Sequence, residues 1–223
     1  MPRSRAPSDR VRVRRLPENG VYDRTTIDAI LDEAMVCHLA FVQDGQPYAI
    51  PTLHARLGDR LYVHGSSASR ALRILGGGAP VGVTVTLVDG LVLARSVFEH
   101  SVEYRSVVVL GTATLVDEPA EKLAALEAFT EKLLPGRWAE ARPPTRQELK
   151  ATAILWVPLD EASAKVSAGP PDDGEGPDAA LDVWAGNLPV RDTWGDPVPD
   201  PLLREGIPVP ESVRRFLAAR RPA

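Results

Sequence analysis

The stretch Leu61-Tyr62-Val63-His64-Gly65-Ser66-Ser67-Ala68-Ser69-Arg70-Ala71-Leu72-Arg73 carries most of the information about how this chain folds. It predicts a strand that stops at a His-Gly-Ser-Ser turn and continues directly into a helix that carries arginines. A helix N-terminus offers unpaired N–H groups and the positive end of a dipole, and serines and an arginine add donors, which suits a phosphate. The alternative is a serine N-cap that begins an ordinary surface helix. The segment alone leaves both interpretations open.

Composition and charge argue against two classes of function, nucleic-acid binding and membrane insertion. The sequence has 223 residues, with 26 basic and 30 acidic side chains and a formal net charge of -4. A broad nucleic-acid-binding face needs a basic excess, so we expect no nucleic-acid partner. No apolar run approaches the ~20 residues that span a bilayer, and the start lacks the apolar stretch of a signal peptide. We therefore expect a cytoplasmic protein with no membrane segment.

Cysteine and histidine usage argues against disulfides and metal sites. The single cysteine, Cys37, excludes an intramolecular disulfide framework, and its apolar surroundings predict a buried thiol. The sequence has four histidines, and no two have metal-ligand spacing on one helix, so we expect no metal. His38 falls in an apolar run and is predicted to lie in the interior.

Tight-turn signals separate short apolar runs on both sides of the opening stretch. Strands are predicted at 35–43, 47–56, 60–64, 81–88, 91–97, 104–116 and 150–157, with Asp89-Gly90 as the turn of a long hairpin. Pro51 restricts its strand to an edge, a bulge or a strand end. Helices are predicted after a Thr25 or Thr26 cap, over 67–75 and over 119–134. This order predicts a mainly β fold with peripheral helices, built as an antiparallel, Greek-key-like barrel, with 150–157 as its last core strand.

Composition divides the chain into three parts. Residues 1–24 form an Arg-rich arm, which is either solvated or folded over an anionic ligand or a partner subunit. Residues 25–168 form the barrel domain. Residues 169–223 form a Pro/Gly-rich extension that we expect to pack on the barrel or on a second subunit. A short helix from Pro210, with Val213, Phe216 and Leu217 inward, ends this extension.

The polar cluster from Phe98 to Ser106 is the second candidate for a site. It lies between two apolar runs and contains His100, which makes it either a site wall or a solvated loop. The sequence lacks Gly-x-Ser-x-Gly and therefore the usual nucleophile elbow of a hydrolase. An anion-binding turn in a barrel without an evident nucleophile suits a protein that relies on a bound cofactor.

Several motifs occur in order along the chain: Tyr62-x-His64-Gly65-Ser66-x-x-Ser69-Arg70, Asp89-Gly90-Leu91-Val92-Leu93-Ala94-Arg95-Ser96 and His100-Ser101-x-x-Tyr104-Arg105-Ser106-Val107-Val108. Together they resemble the FMN-binding split-barrel proteins of the pyridoxamine 5'-phosphate oxidase-like family. The tail Trp184-Ala185-Gly186-x-Leu188-Pro189 and the lead-in Arg15-x-Pro17-Glu18-x-Gly20-x-Tyr22-Asp23 are most similar to the branch with nitroimidazole-resistance flavoproteins. The resemblance runs from about Arg12 to Val213.

The resemblance implies a homodimer with an FMN site at each side of the subunit interface. The residues implied to contact FMN are Ile50, Pro51, Thr52, Leu53, His64, Ser66, Ser69, Arg70, Tyr104, Arg105 and Ser106. The two serines and Arg70 would hold the phosphate, the segment from Ile50 to Leu53 would follow the isoalloxazine edge, and the segment from His100 to Ser106 would close the site from the partner subunit. His64 and His100 are the implied catalytic residues. Glu103 departs from the family pattern, in which Asn is expected, and disfavours a second anionic ligand.

Three functions remain open on the sequence alone. The first is an FMN-dependent oxidoreductase that passes electrons from NAD(P)H to a small acceptor, such as a nitroaromatic or quinone-like compound. The second is a carrier or sensor that binds flavin or haem without turnover, with His54 or His100 as an axial haem ligand. The third is an interaction protein with a vestigial site.

Overall fold

The computed structural model describes residues 5–220, so the outermost residues of the predicted arm and extension, 1–4 and 221–223, lie outside it. The described residues form ten strands and six α-helices. The strands are β1 (Gly20–Val21), β2 (Val36–Gln43), β3 (Gln46–Leu57), β4 (Arg60–Ser66), β5 (Pro80–Leu93), β6 (Ser101–Thr112), β7 (Thr114–Leu115), β8 (Thr152–Pro158), β9 (Ala162–Ser167) and β10 (Gly186–Pro189). The helices are α1 (Arg24–Glu33), α2 (Arg70–Gly76), α3 (Pro119–Leu133), α4 (Arg137–Glu140), α5 (Arg146–Ala151) and α6 (Glu211–Ala218).

The strands form one antiparallel sheet that does not close on itself. Its order is β1-β9-β6-β5-β2-β3-β4-β8-β7, and β10 adds to β5. This architecture confirms the predicted split barrel with peripheral helices. Pro51 lies where β3 pairs only with β2, because pairing with β4 starts at His54. Its missing N–H therefore interrupts no ladder on that side, as the sequence predicts.

Burial alternates along β2, so one face of this strand is buried and the other is exposed. Cys37, Leu39 and Phe41 are buried, and the residues between them are exposed. The prediction of an interior His38 is therefore wrong, because His38 has the parity of the exposed residues. Burial raises the pKa of Cys37 to about 12, as expected for an inert thiol.

The predicted hairpin at Asp89-Gly90 is also wrong. Strand β5 runs without a turn from Pro80 to Leu93 and pairs with β6 along its length, with a register shift between Val88 and Gly90. Asp89 is thus a bulge residue. The strand predicted over 150–157 starts at Thr152, since α5 includes Lys150, and it is not the last, since β9 follows it.

The helices cover the open parts of the barrel. Asp23, and not Thr25 or Thr26, caps α1 by accepting from the Thr26 N–H, and Ile27 is among the side chains that α1 buries. Helix α3 has nearly the predicted bounds and buries Ala125 and Phe129 in a second hydrophobic cluster beside the main core. Together these helices leave the end of β4 and the turn into α2 at the surface.

Both terminal segments contact the barrel. In the arm, Val11 is buried, and Arg10 forms an ion pair with Glu161 at 2.8 Å. In the extension, β10 pairs with the end of β5, and the predicted helix is α6, which buries Phe216. Residues 191–209 of the extension are exposed in the single chain.

Candidate functional site

The predicted order of strand, turn and helix is present, but β4 continues through Ser66, and α2 begins at Arg70 and not at Ser67. The Ser66 hydroxyl accepts from the Ala68 N–H at 3.2 Å, and the Ser69 hydroxyl caps α2 by accepting from the Leu72 N–H at 3.5 Å. The N–H groups of Ser67 and Ser69 already donate to backbone carbonyls. The hydroxyl protons and the side chain of Arg70 remain as donors for an anion.

Close packing of β4 against α2 explains the glycine in this turn. A Cβ on Gly65 would lie 3.0 Å from Cδ1 of Leu72. Since that distance is shorter than ordinary Cβ contacts, a larger residue at 65 would require the Leu72 side chain to shift.

Arg70 joins this turn to β3. Its guanidinium carbon lies 4.7 Å from the centroid of the Tyr48 ring, which itself stacks on Phe41. Tyr48 precedes the predicted isoalloxazine edge from Ile50 to Leu53 on the same strand. The structure therefore places Arg70 against the strand that carries the predicted ring-edge residues.

His64 lies on the wall of a cleft that the sequence does not predict. The cleft has a volume of about 420 Å³ and is lined by Leu53, His64, Leu126, Phe129, Thr130, Leu133, Trp138, Ala141, Arg142, Pro144, Glu148 and Thr152. The His64 ring is 4.3 Å from the Phe129 ring, centroid to centroid. Burial lowers the pKa of His64, and its Nδ1 is buried without a hydrogen-bond partner among the described residues. The cleft is mostly apolar and presents a neutral imidazole.

His54 is enclosed, although it was one of the two histidines considered as an axial ligand. It is only 1% exposed, and its Nε2 lies 2.8 Å from the Leu31 carbonyl oxygen and 2.9 Å from Nζ of Lys132. Burial and the neighbouring Lys132 lower the pKa of His54 to about 4. Burial also lowers the pKa of Lys132 to about 8. No local pattern reveals this pair, because 78 residues separate its members.

The segment from His100 to Ser106 lies away from the turn within one chain. It starts β6, which β5, β2 and β3 separate from β4 in the sheet. His100 is exposed, with Nδ1 2.9 Å from the Ser96 carbonyl oxygen. Tyr104 and Ser106 are half-buried, and the Ser106 hydroxyl donates to the Lys165 carbonyl at 3.4 Å. A single chain therefore does not bring these predicted residues to Arg70.

Arg105, predicted as a cofactor contact, is held by two carboxylates. Its guanidinium donates to Asp89 at 2.7 and 2.9 Å and to both oxygens of Glu33, and these bonds raise the pKa of Arg105. Its bonds to the two carboxylates lower the pKa of each. In the single chain the side chain ties α1 to the β5 bulge and has little charge to offer an anion.

Two features are absent from residues 5–220: a metal-binding cluster and a membrane-spanning helix. Within them, no three His, Cys, Asp or Glu side chains form a group that could hold a metal ion. None of their helices has both the length and the apolar character that crossing a membrane requires.

Comparison with known proteins places the chain in a family. Residues 23–166 match the family model for pyridoxamine 5'-phosphate oxidase. No curated protein matches the sequence. The flavocytochrome Anf3 from Azotobacter vinelandii is 39% identical, with a TM-score of 0.89 that covers 99% of this chain and 100% of that chain.

Two further solved structures extend the comparison. The FAD and heme binding protein from Mycobacterium smegmatis is 41% identical, with a TM-score of 0.83, covering 88% of this chain and 96% of that chain. A protein named as a 5-nitroimidazole antibiotic resistance protein from Bacteroides thetaiotaomicron is 21% identical, with a TM-score of 0.56, covering 66% of this chain and 86% of that chain. This last likeness shows the fold alone.

Proposed function

The chain belongs to the pyridoxamine 5'-phosphate oxidase family, and from this premise we propose that it is a flavin-dependent redox protein. The observation that carries the proposal is the exposed turn between β4 and α2, where Ser66, Ser69 and Arg70 offer donors on one surface. These are the residue types that hold a flavin phosphate, and Arg70 contacts Tyr48 on the strand that carries Ile50 to Leu53. A bound flavin would supply electron transfer, and the chain would supply binding and orientation.

Arg70 provides the first test of this site. We expect Arg70→Ala to weaken flavin binding about tenfold, because a charge-assisted contact to the phosphate is lost. Arg73→Ala, on the same helix and equally exposed, is the matched control and should bind flavin like the wild type. Flavin absorbance per protein after desalting measures both. Equal flavin content in Arg70→Ala and Arg73→Ala would rule out the phosphate assignment.

The same turn suits either of two flavins. The resemblance implies FMN, and the turn would equally hold the corresponding phosphate of FAD. We favour FAD, because the Mycobacterium smegmatis relative, at 41% identity, is described as binding FAD and heme. Heat release of the bound cofactor and chromatography against FMN and FAD standards decides between them.

Haem binding is the second function that we propose, and the His64 cleft supports it. The cleft is lined mainly by Leu53, Leu126, Phe129 and Trp138 and their apolar neighbours, and an imidazole lies on its wall. Because burial lowers its pKa, His64 is neutral at neutral pH, which is the form that binds iron. Two relatives, matched over 99% and 88% of this chain, are described as a flavocytochrome and as a FAD and heme binding protein.

A substitution at His64 tests the haem site. We expect His64→Ala to lower haem affinity at least about 100-fold, since the proposed axial ligand is removed. His100→Ala is the control, because His100 was also considered as an axial ligand, is exposed, and lies directly before β6. Titration of haem into the apoprotein, followed by the Soret band, measures both variants. Loss of the band in His100→Ala, with His64→Ala unaffected, would reverse the assignment.

We further propose that the protein is an oxidoreductase that passes NAD(P)H-derived electrons to a small nitroaromatic or quinone-like acceptor. This step rests on the sequence hypothesis and on the redox cofactors proposed above. Anaerobic addition of NADH or NADPH to the purified protein should bleach the visible flavin bands. A flavin that neither nucleotide reduces would instead support a carrier or sensor, or a different electron donor.

A homodimer would complete the site. Apolar side chains on the outer face of the sheet are exposed in the single chain: Val36 by 44%, Val42 by 59%, Val88 by 50% and Val108 by 40%. A second copy that covers this face would bury them and could bring its own segment from His100 to Ser106 to the flavin, with His100 as a catalytic residue. Light scattering in solution should give twice the 24.1 kDa chain mass.

A further inference from the structure

A long segment of the extension has no role in the function proposed above. Residues 190–209 connect β10 to α6, contain neither helix nor strand, and are all exposed in the single chain. We call this segment the strap. Loops longer than about 12–15 residues without secondary structure are uncommon in compact domains unless they are functional or disordered. The length of the strap therefore needs an explanation.

Both ends of the strap are fixed to its own chain. At the first end, the N–H of Val190 donates to the Asp89 carbonyl at 2.9 Å, which continues the pairing of β10 with β5. After the other end, Ser212 on α6 is fully buried, and its N–H and hydroxyl donate to Glu140 on α4, the N–H at 3.0 Å. The strap is therefore a loop with two anchored ends and not a free tail.

The strap is stiff and stands over a space that its own chain does not fill. Four prolines restrict its backbone. Oδ1 and the carbonyl of Asp200 accept from the N–H groups of Leu202 and Leu203, at 2.7 and 2.9 Å. A groove of about 790 Å³ lies between the strap and Arg137 and Glu140 of α4. A loop that already has one conformation loses little entropy when a partner covers it.

The composition of the strap is typical of an interface and not of a solvated linker. Solvated segments have few bulky apolar residues, yet Val198 and Leu202 are large apolar side chains that are 91% and 90% exposed. In total, the strap exposes seven large apolar side chains among its twenty residues: Val190, Trp194, Val198, Leu202, Leu203, Ile207 and Val209. Such a concentration of exposed apolar surface indicates that another molecule covers it.

The surface area of the chain shows how large that molecule must be. The chain exposes 14338 Å², whereas a compact monomer of its 24.1 kDa mass exposes about 10,000 Å². The excess, about 4,000 Å², is of the size that obligate dimer interfaces bury in total, about 2,000–5,000 Å². Two copies each bring this excess, so they can cover it mutually. A second copy therefore fits the exposed area better than a small partner does.

We propose that the strap packs on a second copy of this chain and that the two straps hold the homodimer together. This inference rests on the homodimer of the proposed function and names the segment that stabilises it. Val198 and Leu202 are the side chains that the second copy buries. An anionic lipid surface is disfavoured, because the strap has two arginines against four acidic residues: Asp192, Asp196, Asp200 and Glu205.

Two substitutions in the strap test the proposal. Val198→Asp and Leu202→Asp, each made in the full-length protein with its cofactors bound, should weaken dimerisation at least about tenfold, because each buries a charge in an apolar interface. Neither should disturb the fold of the single chain, in which both side chains are exposed. Ala124→Asp adds the same charge at an exposed position of α3 and should leave dimerisation unchanged. Sedimentation velocity over a range of concentrations measures all four proteins.

Proteolysis of the wild type provides a measurement that needs no variant. Trypsin should cut after Arg204, an exposed strap residue, at least about tenfold more slowly in the dimer than after dilution to the monomer, and mass spectrometry identifies the cut. A wild type that is monomeric at every concentration would overturn both the homodimer and the role of the strap. A wild-type dimer that neither substitution weakens, or that is cut at Arg204 as fast as the monomer, would overturn the role of the strap alone.

Discussion

His54 and His64 lie on neighbouring strands, and burial lowers the pKa of each, but their surroundings differ. His54 on β3 pairs in register with Val63, so His54 and His64 point to opposite faces of the sheet. Burial lowers the pKa of both. His54 faces the main core and is enclosed by the Leu31 carbonyl and Lys132, whereas His64 lines a cleft beside Phe129. A lowered pKa alone therefore does not identify a functional histidine, and access to a cavity must accompany it.

The largest expected effect is on stability. We expect His54→Ala to lower the free energy of unfolding by about 3 kcal/mol, since it leaves a cavity and removes a polar partner from Lys132. His64→Ala should cost about 1 kcal/mol, because the cleft already gives water access to the site. Urea unfolding of both variants without added cofactor measures the difference. Equal losses would remove the distinction between the enclosed and the accessible histidine.

A second variant tests whether the His54 imidazole or the Lys132 amine contributes more to the stability of the fold. Lys132→Met keeps much of the side-chain volume and removes a charge whose burial is costly, as the lowering of its pKa to about 8 indicates. It should therefore destabilise the protein less than His54→Ala does. A larger loss in Lys132→Met would mean that the amine, and not the imidazole, holds α3 to α1.

The pH dependence of stability gives the next effect. The pKa of His54 is about 4 in the fold against 6.5 for an ordinary histidine, so between these values the unfolded chain binds a proton that the folded chain does not. The free energy of unfolding should therefore fall as the pH drops from 6.5 to 4, by about 3 kcal/mol from His54 alone. His54→Gln should remove most of this loss, and His64→Gln a smaller part. Urea unfolding across this range for the three proteins checks it, and parallel curves for wild type and His54→Gln would contradict it.

Local signals explain why the turn from β4 into α2 could be predicted. Its strand, cap and helix lie within 17 consecutive residues, from Arg60 to Gly76, and the hydrogen bonds of Ser66 and Ser69 reach only a few positions along the chain. Helix α3 could also be predicted, because its apolar residues recur at helical spacing along its whole length. Contacts between segments that are far apart in the sequence cannot be recognised from a short local pattern. Lys132 meets His54 across 78 residues, and Asp173 meets Arg95 across a similar separation.

Asp89-Gly90 shows how a local signal misleads. The pair is typical of a hairpin turn, yet the chain continues straight through it. A Cβ on Gly90 would lie 2.8 Å from Oε2 of Glu103 and 3.2 Å from the Leu188 carbonyl oxygen, so glycine lets β10 pack here. Asp89 binds Arg105. Tertiary contacts therefore account for both residues, and one sequence alone does not separate that cause from a turn.

The smallest expected effect concerns the contact between His64 and Phe129. Phe129→Leu keeps an apolar side chain but removes the ring that lies 4.3 Å from the imidazole. We expect a loss of about 1 kcal/mol in stability and a rise in the pKa of His64 towards its ordinary value, because burial is the cause of its lowering. The pKa of His54 should stay low, since its burial and its Lys132 neighbour do not involve this ring. NMR titration of the two imidazoles in the apoprotein follows both groups at once. If the pKa of His54 rises together with that of His64, the Phe129 ring affects both faces of the sheet, and the distinction between the two histidines fails.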